Sequence, residues 1–167
     1  MLTELTEPTE QEKVLVITRT FKAPRRLMWQ AFAEPYHLAQ WWGPEGYSNP
    51  VCEMDFRVGG HWHHVMRGPD GRDLPTDNQF IEIVEPERIV YRNAPAKGAV
   101  WGENPPPGFL RTITFAEQGA AETLLTIRAE FDSVADRDTA VRRGWVEGTH
   151  SSFAKLDLHL NTMEIAP

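Results

Sequence analysis

Three histidines crowd into one short run, His61-Trp62-His63-His64, and imidazole is the side chain best suited to act as metal ligand, acid or base near neutral pH. A β-strand sends alternate side chains to opposite faces, so His61 and His63 share one face while His64 takes the other. The three cannot converge on one ion without a bulge. A two-histidine surface site is the most the pattern offers, and no functional metal is expected.

Other candidate chemistry is equally sparse. Cys52 is the only cysteine; the alternation around it places it on an apolar face with no basic residue nearby in sequence, which describes a buried, inert thiol. His150 is followed by Ser151 and Ser152, but successive residues of a helix point about 100° apart, and no glycine-flanked elbow surrounds either serine. Glu147 falls on the polar side of its helix, and Glu85 and Glu87 flank a proline turn, so all three read as solvated carboxylates. Gly59-Gly60 leads into a strand and not into a helix N-terminus, so it is no phosphate loop. No catalytic residue and no cofactor motif emerge.

The totals narrow the partners. The chain has 167 residues with 17 basic against 24 acidic side chains, a formal charge of -7, which repels a phosphate backbone and excludes a general nucleic-acid binder. A lone cysteine forms no intramolecular disulfide, and neither a signal-peptide core nor a membrane span is visible, so a cytoplasmic protein is expected. Six Trp and eight Phe supply contact area of a kind that serves a core and an apolar ligand alike.

The elements follow from periodicity. Residues 1–12 read as a flexible acidic tail and residues 13–165 as a single domain. A strand over Lys13–Phe21 precedes a helix over Ala23–Ala33 and a short second one through Leu38. Strands follow over 47–67 as a hairpin turning at Gly59-Gly60, then at Asn78–Val84, Arg88–Asn93, Phe109–Phe115 and Thr123–Phe131. The insert at Ala94–Gly108, with Trp101 among Pro105, Pro106 and Pro107, reads as a loop at the rim of the sheet. Asp136 to Met163 reads as one long amphipathic helix: Val141, Trp145, Gly148, Thr149, Ser152, Phe153, Leu156, Leu160 and Met163 share a sector. That stripe is uneven, with Leu156 and Leu160 suited to a core and Gly148, Thr149 and Ser152 suited to the wall of a cavity or to close packing. The order of elements is α+β, with helices over one face of an antiparallel sheet of six or seven strands.

Trp41–Tyr47 (W-W-G-P-E-G-Y), Glu53–Trp62 (E-M-D-F-R-V-G-G-H-W), Val65–Gly71 (V-M-R-G-P-D-G), Phe80–Tyr91 (F-I-E-I-V-E-P-E-R-I-V-Y) and Glu147–Leu156 (E-G-T-H-S-S-F-A-K-L) occur in this order. Together they resemble the START-like SRPBCC superfamily, in particular its bacterial branch related to the activator of heat-shock-protein-90 ATPase. The resemblance spans roughly Val14 to Leu160 and implies a helix-grip fold, in which a curved antiparallel sheet wraps a long C-terminal helix and leaves a cavity between them. It also implies binding of a hydrophobic small molecule; some relatives are cyclases or act on aromatic polyketides. One position departs from the family pattern, which usually has a bulky apolar residue where this chain has His64. A histidine on the inner face is either satisfied within the core or oriented toward a ligand's carbonyl or hydroxyl.

The expected binding site comprises Trp42, Met54, His64, Met66, Phe80, Trp145, Thr149 and Ser152, with Trp101 on a lid. An enzyme of the cyclase or hydrolase type using His64 is the alternative, and a co-chaperone-like role in stress response, suggested by the family name alone, is a third. Leu158 on the polar side of the last helix leaves a homodimer open.

Overall fold

Alternating apolar and polar side chains drive seven segments into strands, and a computed structural model of the protein, describing residues 10–95 and 105–163, shows how they assemble. A 3-10 turn at Glu10–Lys13, where the sequence suggests the end of a flexible tail, leads into β1 (Val14–Phe21). Two helices follow, α1 (Arg25–Ala33) and α2 (Pro35–Trp41), with Pro24 capping the first and Pro35 opening the second. Proline suits both places because a helix start has no use for that N–H.

Six strands then run as a meander: β2 (Ser48–Met54), β3 (His61–Arg67), β4 (Asp73–Val84), β5 (Arg88–Pro95), β6 (Phe109–Glu117) and β7 (Thr123–Phe131). Each pairs antiparallel with the next, and β1 returns to pair with β7, giving the order β1-β7-β6-β5-β4-β3-β2 with β1 and β2 at open edges. β4 starts five residues before the Asn78 expected from sequence, because Pro75 disguises its first half. β5 likewise continues through Ala94 and Pro95, which pair with Asp77 and Thr76 and so belong to the sheet, not to the insert. Residues 96–104, including Trp101 of the expected lid, lie outside the described residues.

At the β2–β3 turn the two glycines serve different ends. Gly59 has φ 83°, a left-handed conformation that costs other residues energy. Gly60 is needed for space, since a Cβ there would collide with the carbonyl oxygen of Asp55. β2 itself ends at Met54, and Val58 in the turn that follows is 59% exposed.

The single C-terminal helix expected from Asp136 to Met163 is in fact two. α3 (Val134–Arg142) is capped by Ser133, whose Oγ accepts from the Asp136 amide at 3.0 Å, and α4 (Trp145–Leu160) begins after a break. Gly144, at φ 88°, makes the break. A wheel drawn through it loses phase, which is why Val141, assigned to the buried sector, is 40% exposed. Within α4 the pattern holds: Phe153, Leu156 and Leu160 are buried, and Asp157 on the flank pairs with Arg19 of β1.

The inner face of the sheet carries two apolar clusters. The larger joins Phe21, Trp29, Phe32, Trp41, Trp62, Phe80, Phe115 and Phe153, packed edge to face in several pairs. The smaller gathers Leu15, Phe109, Ala129, Phe131 and Ala140, with Trp145 against it. Buried side chains of this size contribute about 1.5–3 kcal/mol each.

A Cβ at Gly144 would meet only the Glu147 carboxylate, at 3.9 Å, so a substitution there is opposed by backbone conformation alone. Gly144→Ala is expected to lower stability by about 1–2 kcal/mol in urea unfolding. An unchanged midpoint would show that the break between α3 and α4 does not depend on the left-handed residue.

Candidate ligand cavity

The register of β3 to β6 lays out a ladder of side chains on the inner face. His64 of β3 stands opposite Thr76 of β4, Asn78 of β4 opposite Asn93 of β5, and Tyr91 of β5 opposite Arg111 of β6. All are polar, on a face that elsewhere is apolar. His64, Thr76, Asn78 and Arg111 are buried, and burying polar groups is costly unless each finds a partner.

Some do. Asn93 Nδ2 donates to Asn78 Oδ1 at 2.7 Å, and Asn78 Nδ2 donates to the Trp62 carbonyl at 3.2 Å, a relay that fixes both amides. Arg111 Nη1 donates to the Tyr91 hydroxyl at 2.9 Å. Others do not: His64 Nδ1, Arg111 Nε and Trp145 Nε1 are buried without a hydrogen-bond partner.

These groups border a cavity of about 350 Å³ between the sheet, the α3–α4 junction and the loop after α2. His64 and Met66 come from β3, Leu74 and Thr76 from β4, Asn93 and Pro95 from β5, and Phe109 and Arg111 from β6. The helical side supplies Ala140, Gly144, Trp145, Gly148, Thr149 and Ser152, while Trp42, Gly43, Pro44, Pro106 and Pro107 come from loops. The cavity touches both apolar clusters, through Trp41, Ile127 and Phe153 on one side and Phe109 and Ala140 on the other. Its wall is therefore mainly apolar with a few polar groups, the usual make-up of a small-molecule site.

The loop after α2 is fastened to α4. Lys155 Nζ donates to the carbonyls of Gly43, Pro44 and Tyr47 at 3.3, 3.5 and 3.2 Å, and Ser151 Oγ accepts from the Glu45 amide at 2.7 Å. Gly148 completes the contact, since a Cβ there would already stand 3.4 Å from Pro44. The small residue thus does two things the sequence left as alternatives: it admits a close neighbour and lines the cavity. Burial pushes the Lys155 ammonium below the usual lysine value, with Glu45 acting in the opposite sense.

Of the residues expected at the site, Trp42, His64, Met66, Trp145, Thr149 and Ser152 line this cavity. Met54 and Phe80 do not. They border a separate, nearly filled void with Phe32, Leu38 and Ile89 inside the larger cluster, and so belong to the core. Both point inward as alternation requires, but lie where α1 and α2 cover the sheet with Phe32 and Leu38. Arg111, Asn93 and Thr76 escaped the sequence reading; an arginine at an inward position of β6 was the available signal.

The remaining candidates for chemistry stand apart from it. His61 is exposed, and His63 Nδ1 meets Asp77 Oδ1 at 2.7 Å on the outer face. Among the described residues no group of three or more His, Cys, Asp or Glu is placed to hold a metal ion. Cys52 packs half-buried against the larger cluster, where burial raises its thiol pKa more than contact with Trp62 lowers it. Glu147 and His150 are exposed on α4.

His64 is 2% exposed and stacks on Trp62 with ring centroids 4.5 Å apart. Burial, with the charges of Arg111 and His63 adding to it, pushes its pKa from 6.5 down to about 3, so the ring is neutral at physiological pH.

An open antiparallel sheet closed over by a C-terminal helix, with a cavity between, defines an α+β protein of the helix-grip class. The family model described as Activator of Hsp90 ATPase homolog 1-like protein matches residues 22–161, and the chain belongs to that family. Solved structures share the fold. A protein of Nitrosomonas europaea superposes with a TM-score of 0.80 at 23% identity, covering 92% of this chain and 97% of that one. For a protein of Mycobacterium smegmatis the values are 0.79, 26%, 93% and 95%, and for one of Arthrobacter aurescens 0.82, 23%, 94% and 91%. No curated protein matches the chain significantly. No helix among the described residues is long and apolar enough to cross a membrane.

The neutral state of His64 carries a sign for stability. Between its folded pKa of about 3 and its ordinary value of 6.5, the unfolded chain takes up a proton that the folded protein refuses, so this contribution is present above pH 6.5 and is lost on acidification. Full coupling corresponds to about 1.4 kcal/mol per pH unit. Urea unfolding at pH 7 and pH 5 is expected to show a loss smaller by about 2 kcal/mol in His64→Phe than in the wild type; parallel losses in the two proteins would remove His64 from the acid response.

Proposed function

We propose that the protein binds a small molecule with an aromatic or otherwise apolar body in the cavity between sheet and α4. The observation that carries this reading is a cleft of about 350 Å³ walled by Trp, Phe, Met and Pro side chains, into which the same sheet also brings His64, Asn93 and Arg111. Apolar walls supply buried area, and the few polar groups orient what enters. Trp42, His64, Met66, Trp145, Thr149 and Ser152 are the binding residues in this reading, with Arg111 and Asn93 added. The protein's place in its family supports it, because the helix-grip architecture leaves such a space open.

Turnover of a polyketide-like aromatic compound by a cyclase or hydrolase mechanism is the second reading. Its support is His64, a neutral imidazole with a free Nδ1 at the wall. General acid–base work needs a partner group, and the described wall holds no carboxylate. Binding is therefore the better-supported function. Stimulation of a heat-shock ATPase, suggested by the family description, is a separate activity that an ATPase assay addresses directly.

N-phenyl-1-naphthylamine, a neutral apolar fluorophore, tests the cavity. Its emission is expected to rise with wild-type protein and to be lost in Ser152→Trp, whose indole would occupy the space, with Tm moving by no more than about 4 °C, the equivalent of about 1 kcal/mol in a chain of this size. Equal binding by a folded Ser152→Trp protein would move the site elsewhere.

A further inference from the structure

Arg111 is a cation in an apolar room. It is 6% exposed on β6 and lines the cavity, and among the described residues it forms no ion pair with any carboxylate. Its hydrogen-bond partner, the Tyr91 hydroxyl, gives little compensation of charge. That phenol is fully buried, and burial raises its pKa more than Arg111 lowers it, so it is neutral. Nε has no partner at all.

Four rings surround the guanidinium, with Phe109, Trp42, Tyr91 and Trp145 centroids 4.8, 5.3, 5.7 and 5.7 Å from Cζ. Ring faces offset part of the desolvation of a cation, but only part; a buried charge is normally paired with an opposite one. Trp145 adds an Nε1–H with no acceptor, and the described wall contributes no negative group. The imbalance runs one way. Positive charge and N–H donors are present without matching anionic acceptors, in a wall that also holds the neutral His64.

We infer that the cavity takes an organic anion, an aromatic or apolar molecule bearing a carboxylate, with the carboxylate received by Arg111. The planar fork of guanidinium suits that group better than an ammonium would. The aromatic walls hold the body, and the anion supplies the missing counter-charge. The inference rests on the cavity being a binding site, and it deepens that reading by naming the ligand class. The competing account is that Arg111 is kept for packing among the four rings.

Isothermal titration of the full chain with 2-naphthoate and its neutral counterpart 2-naphthamide separates these accounts. In the wild type, naphthoate is expected to bind at least about tenfold more tightly. Arg111→Met is expected to weaken naphthoate at least about tenfold and naphthamide less than about threefold, while the ligand-free Tm stays level or rises, because replacing an unpaired buried charge by an apolar side chain of similar length removes a cost. Equal affinity for the two probes in the wild type overturns the anion and leaves the cavity as a receptor for neutral molecules, and a carboxylate preference that survives Arg111→Met overturns Arg111 as the group that receives it. Failure of both probes to bind at millimolar concentration, together with no rise in fluorophore emission with the wild-type protein, overturns the cavity reading and the anion with it. The wild-type comparison needs no variant, so it stands even if Arg111→Met does not fold.

Discussion

A seven-stranded sheet with one apolar face must have that face covered, and the architecture follows from how incompletely this chain can do it. α4 has 16 residues, a length of about 24 Å, and with α1 and α2 it seals the region over Trp62, Phe80 and Phe115. α3 seals the region over Phe109 and Phe131. Between them Gly144 turns the backbone, and this junction borders the cavity. The cavity is the uncovered remainder, bounded by the parts of each cluster that face the gap.

The loop that follows α2 decides how open that remainder is. Trp42 reaches the wall because its loop is tied down by Lys155 and Ser151 of α4, through three carbonyls and one amide. Asn49 ties the other end, donating from Nδ2 to the carbonyls of Ala39 and Trp42 at 3.1 and 2.8 Å. Backbone groups of an irregular loop need partners as much as those of a helix end. Here side chains supply them, so a segment without regular hydrogen bonding holds an indole ring in one place.

The polar ladder on the inner face runs against the economy of a core. Tyr91 and Arg111 satisfy each other only in part, and His64 survives as the neutral form because charging it in that place is expensive. Apolar residues at these positions would pack a more stable protein. A chain that keeps Arg111 and His64 among apolar neighbours gives up stability for a particular electrostatic surface, and the proposed binding function rests on that imbalance.

Periodicity alone determined the strands with clean alternation. β7 is read with its observed ends from Thr123–Phe131, and the inward set Trp62, His64, Met66 from β3. It failed where proline broke the pattern, at Pro75 in β4 and Pro95 in β5, and where a single wheel was carried through Gly144. Inward direction was legible, but depth along the sheet was not: Met54 and Phe80 point the same way as His64, yet helices cover them and leave His64 at the wall. The pairing of β1 with β7, the ties from Lys155 to the loop, and the meeting of Tyr91 with Arg111 join residues 20 to more than 100 positions apart. Local sequence determines what each segment can bury; which buried groups become neighbours depends on packing between segments, and only the tertiary structure decided that.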